Sequence, residues 1–165
     1  MIGILIGTNR EDNVSQLVGE YYLSVLSKKG VDSKIFHLED FLEKLDWSKI
    51  YDYSLIPEFA GVEKTIWVLP EYNGSFPGVV KVMIDSLQRE FWKNKKVALT
   101  GVSAGQGGNR TGLNHLSDIL TYLNVYILPY FVYLDNIEKY LQDGKFIPGK
   151  YEKFIENQIE LLRGF

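Results

Sequence analysis

The chain has 165 residues, 45% of them hydrophobic, with a formal net charge of −3 and no cysteine. That length suits one domain of the usual ~100–200 residues, and the apolar fraction suffices for a sizeable core, so a disordered chain is excluded. A near-neutral balance lacks the basic footprint of a nucleic-acid binder, and a chain without cysteine has no disulfides, thiolate catalysis or Cys-based metal sites.

Met1-Ile-Gly-Ile-Leu-Ile6 reads as a first strand. It has no basic flank, so it is not read as a signal peptide. No apolar run approaches the ~20 residues of a membrane helix, and a cytoplasmic location is expected. Val14–Lys29 reads as a helix, with Leu17, Val18, Tyr21, Tyr22, Val25 and Leu26 on one stripe and Gly30 as its stop. Ser33–Leu38 reads as a second strand. Residues 39–61 form an irregular crossover with a short helix over Asp40–Leu45. Thr65–Leu69 is a third strand, Val79–Trp92 a helix, and Lys96–Thr100 a fourth strand. Asn109–Leu123 is a helix, Val125–Leu128 a fifth strand, and Tyr151–Arg163 a terminal helix. The segment 130–148 is expected to extend the fifth strand and to turn at Asp143-Gly144. Strands that read as continuous apolar runs and alternate with helices point to a parallel sheet covered on both faces. One α/β domain over residues 1–165 is expected.

Three loops follow strands and carry the chemistry. In an open α/β sheet, ligands bind outside the carboxyl ends of the strands, where such loops cluster. The first is Gly7-Thr-Asn-Arg-Glu-Asp-Asn-Val-Ser15. Thr8, Asn13 and Ser15 offer short hydrogen-bonding side chains, Arg10 a forked cation, and the following helix its free N–H groups, which together suit a phosphate. N-capping by Asn13 beside a solvated arginine is the plainer alternative. The loop is neither a P-loop nor the dinucleotide fingerprint. Another is Gly101-Val-Ser-Ala-Gly-Gln-Gly-Gly-Asn-Arg-Thr111, whose glycines let backbone come close to a flat ligand. It also matches the G-x-S-x-G elbow of serine hydrolases. The only histidine after Ser103 is His115, on the helix that immediately follows, which places it poorly as a base. The middle loop, Pro70-Glu-Tyr-Asn-Gly-Ser-Phe-Pro-Gly78, breaks the tie. Tyr72 brings an amphipathic ring, Asn73 and Ser75 bring polar groups, and Pro70 and Pro77 stiffen both ends.

Taken together, these loops resemble the NADPH-dependent FMN reductase family, which includes bacterial quinone, azo-dye and chromate reductases. The resemblance covers nearly the whole chain, and Pro70-Glu-Tyr-Asn with its downstream Pro-Gly and Ile-Asp is its most specific part. It implies a flavodoxin-like three-layer sandwich with a five-stranded parallel sheet in the order 2-1-3-4-5. It implies that Thr8, Arg10, Asn13, Val14 and Ser15 hold the FMN phosphate. Pro70, Glu71, Tyr72, Asn73 and Gly74 would line the ribityl chain and one ring edge, and Ser103, Gly105, Gly107 and Gly108 the other side. Three departures stand out: Asn13 replaces a common serine, Gly74 a larger and often basic residue, and the 39–61 crossover is short. The implied reaction passes hydride from NADPH or NADH to the flavin and then to a quinone, flavin or similar small acceptor. The cofactor carries that chemistry, so no side chain need act as acid or base. A homodimer or homotetramer is expected. The competing reading is a flavodoxin-like electron carrier; such carriers are more acidic and lack the 70–78 motif.

The remaining candidates read as structural. His37 and His115 are separated and lack a carboxylate cluster. Trp47, Trp67 and Trp92 suit core or interface, Phe76 and Tyr130 suit packing, and Lys93–Lys96 reads as a solvated helix exit. Tyr51, Tyr53, Phe131 and Tyr133 are candidates for an apolar dimer surface.

Overall fold

The computed structural model describes residues 1–46, 48–51 and 56–165, so Trp47 and Tyr53 lie outside the described residues. The strands are β1 (Ile2–Ile6), β2 (Ser33–His37), β3 (Lys64–Pro70), β4 (Lys96–Val102), β5 (Tyr126–Ile127) and β6 (Val132–Leu134). They pair in parallel in the order β2-β1-β3-β4-β5, with β6 also on β4. Among the described residues, seven helices cover this sheet or connect its strands: α1 (Val14–Lys28), α2 (Leu38–Leu42), α3 (Pro57–Ala60), α4 (Gly78–Ser86), α5 (Arg89–Trp92), α6 (Arg110–Tyr122) and α7 (Glu152–Gly164); α3 and α5 are four residues each. This is the flavodoxin-like order that the resemblance implied.

Strand alternation divides the core into two layers. Ile4, Ile6, Ile66, Val68 and Ala98 face α1 and α7, where Val18, Tyr22, Leu26, Ile155 and Ile159 meet them. Leu5, Trp67, Leu69, Val97 and Leu99 point the other way, onto Met83, Trp92, Leu113, Leu116 and Leu120. Trp67 and Trp92 are both fully buried and pack edge-on, with centroids 5.9 Å apart, as core residues should.

Two elements differ from expectation. The helix expected over Val79–Trp92 is interrupted at Leu87, which is extended (φ −107°, ψ 142°). The crossover causes the break: Tyr51 donates its N–H to the Ser86 carbonyl at 2.7 Å and accepts from the Gln88 N–H at 2.8 Å. Tyr51 thus ties the crossover to α4 through its backbone. The fifth strand is also split. Leu128 makes the last ladder bond, to the Val97 carbonyl at 2.8 Å. Pro129, which follows, has no N–H to donate, so pairing resumes only at Val132. The side chain of Gln158 on α7 fills the gap, donating through Nε2 to the carbonyls of Leu99 and Tyr130, each at 3.0 Å. Beyond β6 a hairpin joins β7 (Leu141–Gln142) to β8 (Lys145–Phe146). Its turn is Asp143-Gly144, with φ of 50° and 69°, the two positive values of a type I′ turn.

Candidate functional site

The three loops converge at the carboxyl end of the sheet. There they enclose a cleft of about 350 Å³ lined by Arg10 to Ser15, Pro70 to Tyr72, Val102 to Ala104, Ile137 and Glu138. The first loop is organised by its own polar groups. Asn13 caps α1: its Oδ1 accepts from the Gln16 N–H at 2.8 Å, while its Nδ2 donates to the Arg10 carbonyl at 2.8 Å. This leaves the first N–H groups of α1 directed at the loop, with the positive end of the helix dipole behind them. Ser15 is 1% exposed, and among the described residues its hydroxyl oxygen has no partner. A buried hydroxyl without a partner costs about 1–3 kcal/mol, so an orphan at this place points to a ligand that would satisfy it.

Tyr72 links the first loop to the second. Its hydroxyl lies 2.6 Å from Thr8 Oγ1, and the Arg10 guanidinium rests 3.7 Å from its ring centroid. Tyr72 and Ser75 exchange backbone hydrogen bonds at 2.9 and 3.2 Å, closing a two-residue hairpin on Asn73-Gly74. Asn73 and Gly74 have φ of 53° and 75°, a second type I′ turn. Asn-Gly is the strongest short hairpin signal in a sequence, and it explains glycine at position 74 better than an opened pocket mouth does. A Cβ there would meet nothing within 4 Å, so a substitution is resisted by backbone conformation and not by space. Gly74→Ala is expected to lower stability by about 1 kcal/mol in thermal unfolding while leaving ligand binding intact.

Asn109 fastens the glycine-rich loop. It is fully buried, holds a left-handed φ of 60°, and donates through Nδ2 to the carbonyls of Leu69 (3.1 Å) and Pro70 (3.0 Å). Its backbone N–H donates to Glu71 Oε2 at 3.2 Å, so the second and third loops are braced against each other. The Ser103 hydroxyl is consumed inside its own loop, donating to the Gly105 carbonyl at 2.8 Å and accepting from the Gly108 N–H at 3.0 Å. His115 Nδ1 pairs instead with Ser75 Oγ, at 3.0 Å. Ser103 is therefore a loop fastener, and the hydrolase reading finds no base beside it.

Of the residues expected at the site, Arg10, Asn13, Val14, Ser15, Pro70, Glu71, Tyr72 and Ser103 line the cleft. Thr8 stands behind Tyr72. Asn73 and Gly74 form the exposed hairpin tip, and Gly105 and Gly107 are exposed on the glycine-rich loop while Gly108 is buried beneath it. Sequence reasoning missed Ile137 and Glu138. They reach the cleft because Asn136 N–H donates to the Gly105 carbonyl at 2.8 Å and Ile137 N–H to the Ser103 carbonyl at 3.1 Å. Only the register of β6 on β4 brings them there, and no periodicity announces it. Among the lining residues Arg10 is the single cation, against Glu11, Asp12, Glu71 and Glu138.

Residues 1–139 match the NADPH-dependent FMN reductase family. The chain belongs to that family. It is 32% identical over 75 residues to a 2-hydroxy-1,4-benzoquinone reductase of Burkholderia, covering 43% of this chain and 41% of that one. It is 27% identical over 111 residues to an NAD(P)H-dependent FMN reductase of Pseudomonas aeruginosa, covering 64% and 60%. The matches thus span less than two thirds of either relative. Among solved structures, the flavoenzyme NAD(P)H:(acceptor) oxidoreductase FerB of Paracoccus denitrificans superposes with a TM-score of 0.73 at 22% identity, over 99% of this chain and 97% of that one. A flavodoxin of Pseudomonas aeruginosa gives 0.65 at 15% identity, over 99% of both chains. The two structures share the flavodoxin-like fold with this family member. No helix among the described residues is long and apolar enough to cross a membrane.

Proposed function

We propose that this chain is an NAD(P)H-dependent flavin oxidoreductase that holds FMN across the three loops and reduces a quinone, flavin or similar small acceptor. The observation that carries the reading is the buried Ser15 hydroxyl at the start of α1, without a partner among the described residues, beside Arg10 and the N–H groups of the first turn that the Asn13 cap leaves free. A phosphate monoester suits that donor set: it accepts from the hydroxyl, the amides and the guanidinium at once. The Asn109 and Gly108 anchors hold the glycine-rich loop close to the sheet and leave Gly105 and Gly107 exposed, where backbone can lie against a planar ring. FMN, when bound, supplies the two-electron redox chemistry. The chain's own part is to bind and orient. Arg10 and Ser15 would grip the phosphate, Tyr72 and Pro70 would flank the ring edge, and loop N–H groups would offset negative charge on the ring.

Ser15→Ala tests this with two readouts of opposite sign. It removes the orphan oxygen, so the ligand-free protein should be as stable as the parent or slightly more stable. The FMN dissociation constant, read by quenching of flavin fluorescence, should rise about tenfold. Purified protein that neither carries a flavin nor takes up added FMN would sink the proposal. Protein that binds FMN but is not bleached rapidly by NADPH or NADH under anaerobic mixing would instead be an electron carrier.

A further inference from the structure

The negative charge of this chain is not spread evenly. Four carboxylates, those of Glu11, Asp12, Glu71 and Glu138, line the cleft beside one cation, Arg10. Their balance is −3, which equals the formal charge of the whole chain, so the remaining residues sum to neutral. Among the described residues none of the four has an ion pair, and all four are exposed. They come from separate segments. Glu11 and Asp12 belong to the loop after β1, Glu71 to the end of β3, and Glu138 to the segment after β6. Each segment that borders Val102–Ala104 therefore brings at least one carboxylate to the opening.

Nearby cations do not offset this charge. The Arg10 guanidinium rests 3.7 Å from the Tyr72 ring centroid, and the phosphate proposed above would claim it. Arg110 lies 4.2 Å from the Tyr133 centroid, in a groove on the other side of the glycine-rich loop. That loop is the shared wall: Ser103 and Ala104 face the cleft, Gly107 and Arg110 the groove. Lys150 lines the same groove, 3.5 Å from Asp135. The hairpin tip, Asn73-Gly74, carries no charged side chain.

The carboxylates do not define the site. The buried Ser15 hydroxyl, which lines the same cleft and has no partner among the described residues, does that. What the carboxylates can do is sort the molecules that enter. Charge of one sign on a concave, low-dielectric wall focuses its field into the opening and changes the entry of a charged ligand by roughly 10–10³-fold, while a neutral ligand is unaffected. A bound phosphate monoester adds negative charge and strengthens the sorting.

Resting on the function proposed above, we infer that the cleft selects its electron acceptor by charge, admitting neutral quinones and resisting anions such as phosphorylated flavins, sulfonated dyes and oxyanions. The quinone takes up two electrons and two protons to become the hydroquinone, at the expense of one NAD(P)H and one solvent proton. Glu71 and Glu138 are the specificity-determining residues, since Glu11 and Asp12 belong to the loop proposed to hold the phosphate. The dinucleotide donor is itself an anion, so its reaction should quicken with salt in the same sense as that of an anionic acceptor.

Absorbance titration of the oxidised, FMN-loaded protein with 1,4-naphthoquinone and with its 2-sulfonate reads the sorting without turnover. At low ionic strength the neutral quinone is expected to bind about tenfold more tightly. Combining Glu71→Gln with Glu138→Gln should narrow that gap to about threefold. Combining Glu90→Gln with Asp118→Asn removes equal charge from surfaces away from the cleft and should leave the gap unchanged. Stopped-flow reoxidation of NADPH-reduced protein gives a second reading. Between about 0.01 and about 0.1 M ionic strength the screening length falls from ~30 to ~10 Å. The rate with the trianion ferricyanide should then rise about tenfold, that with the trication hexaammineruthenium(III) should fall by as much, and that with p-benzoquinone should stay within about twofold. A ferricyanide rate that stays level with salt, or a remote double variant that shifts the gap as much as the cleft double variant, would overturn the inference. Protein that binds FMN and shows the gap, but is bleached by neither dinucleotide, refutes the oxidoreductase reading and upholds the charge selection. Protein that takes up no FMN refutes both.

Discussion

Gly101→Ala is expected to lower stability by ~3 kcal/mol and to weaken FMN uptake by far more than tenfold. A Cβ at this position would be driven into the Gly108 carbonyl oxygen, with Asn109 Cβ 3.0 Å away. Both neighbours belong to the loop itself, and neither is the free end of a flexible side chain. Gly108 has no room to retreat, because it lies against the backbone of Tyr133 and Leu134 and holds a φ of 57°. Relief therefore requires the 107–109 turn to lift off the sheet. That motion would break the Asn109 bonds to Leu69 and Pro70 and the Gly108 bond to Ser103. Thermal unfolding should show a drop of roughly 6–12 °C for a chain of this size. Gly105→Ala in the same loop is the control. Its Cβ meets nothing within 4 Å, and a change within about 0.5 kcal/mol is expected. Equal effects at the two positions would refute the argument from close approach.

Gln158→Leu should be at least as damaging, by ~3–5 kcal/mol, although the residue lies on the terminal helix away from the loops. Gln158 is fully buried and uses its whole amide. Nε2 donates to Leu99 and Tyr130, while Oε1 accepts from the Tyr22 hydroxyl at 2.7 Å and from Thr100 Oγ1 at 3.0 Å. Leucine keeps the volume but removes the amide donor from the Leu99 and Tyr130 carbonyls, and of the Tyr22 and Thr100 hydroxyls, 2.8 Å apart, only one can then donate to the other. Burial already pushes the Tyr22 phenol above its ordinary value, so it cannot escape by ionising. The midpoint of urea unfolding should fall with its slope unchanged. A loss below about 1 kcal/mol would mean that the gap opened by Pro129 is bridged in some other way. Because β6 carries the 134–138 segment to the cleft, the same variant should also loosen FMN binding.

Much of this was legible in the chain. Each buried strand shows as an apolar run, Gly30 and Asn13 mark helix ends, and Asp143-Gly144 marks a hairpin. All of these are local signals, set by backbone geometry and short-range hydrogen bonds. The three loops were legible for the same reason, since small, polar and ring-stiffened residues cluster directly after strands. Asn73-Gly74 carried an equally local signal that comparison with the family obscured. Where reading failed, a distant partner had overridden a local preference. Val79–Trp92 has helical periodicity throughout, but Tyr51 reaches in from the crossover and claims the backbone at Ser86 and Gln88. The fifth strand divides at Pro129, and its continuation is held by a glutamine near the end of the chain.

What the sequence determined by itself is therefore the alternation of elements, the parallel sheet and the three ligand-type loops, because each depends on residues within a turn or two of one another. The tertiary structure alone decided which side chains meet. It gave Ser103 and Asn109 over to fastening a loop, brought Ile137 and Glu138 to the cleft, and left the buried Ser15 hydroxyl without a partner among the described residues. It also set Arg10 and Arg110 over tyrosine rings on opposite sides of one wall. These outcomes follow from strand register and from the close approach of backbones at Gly101 and Gly108, where one added methyl group decides whether two loops can touch.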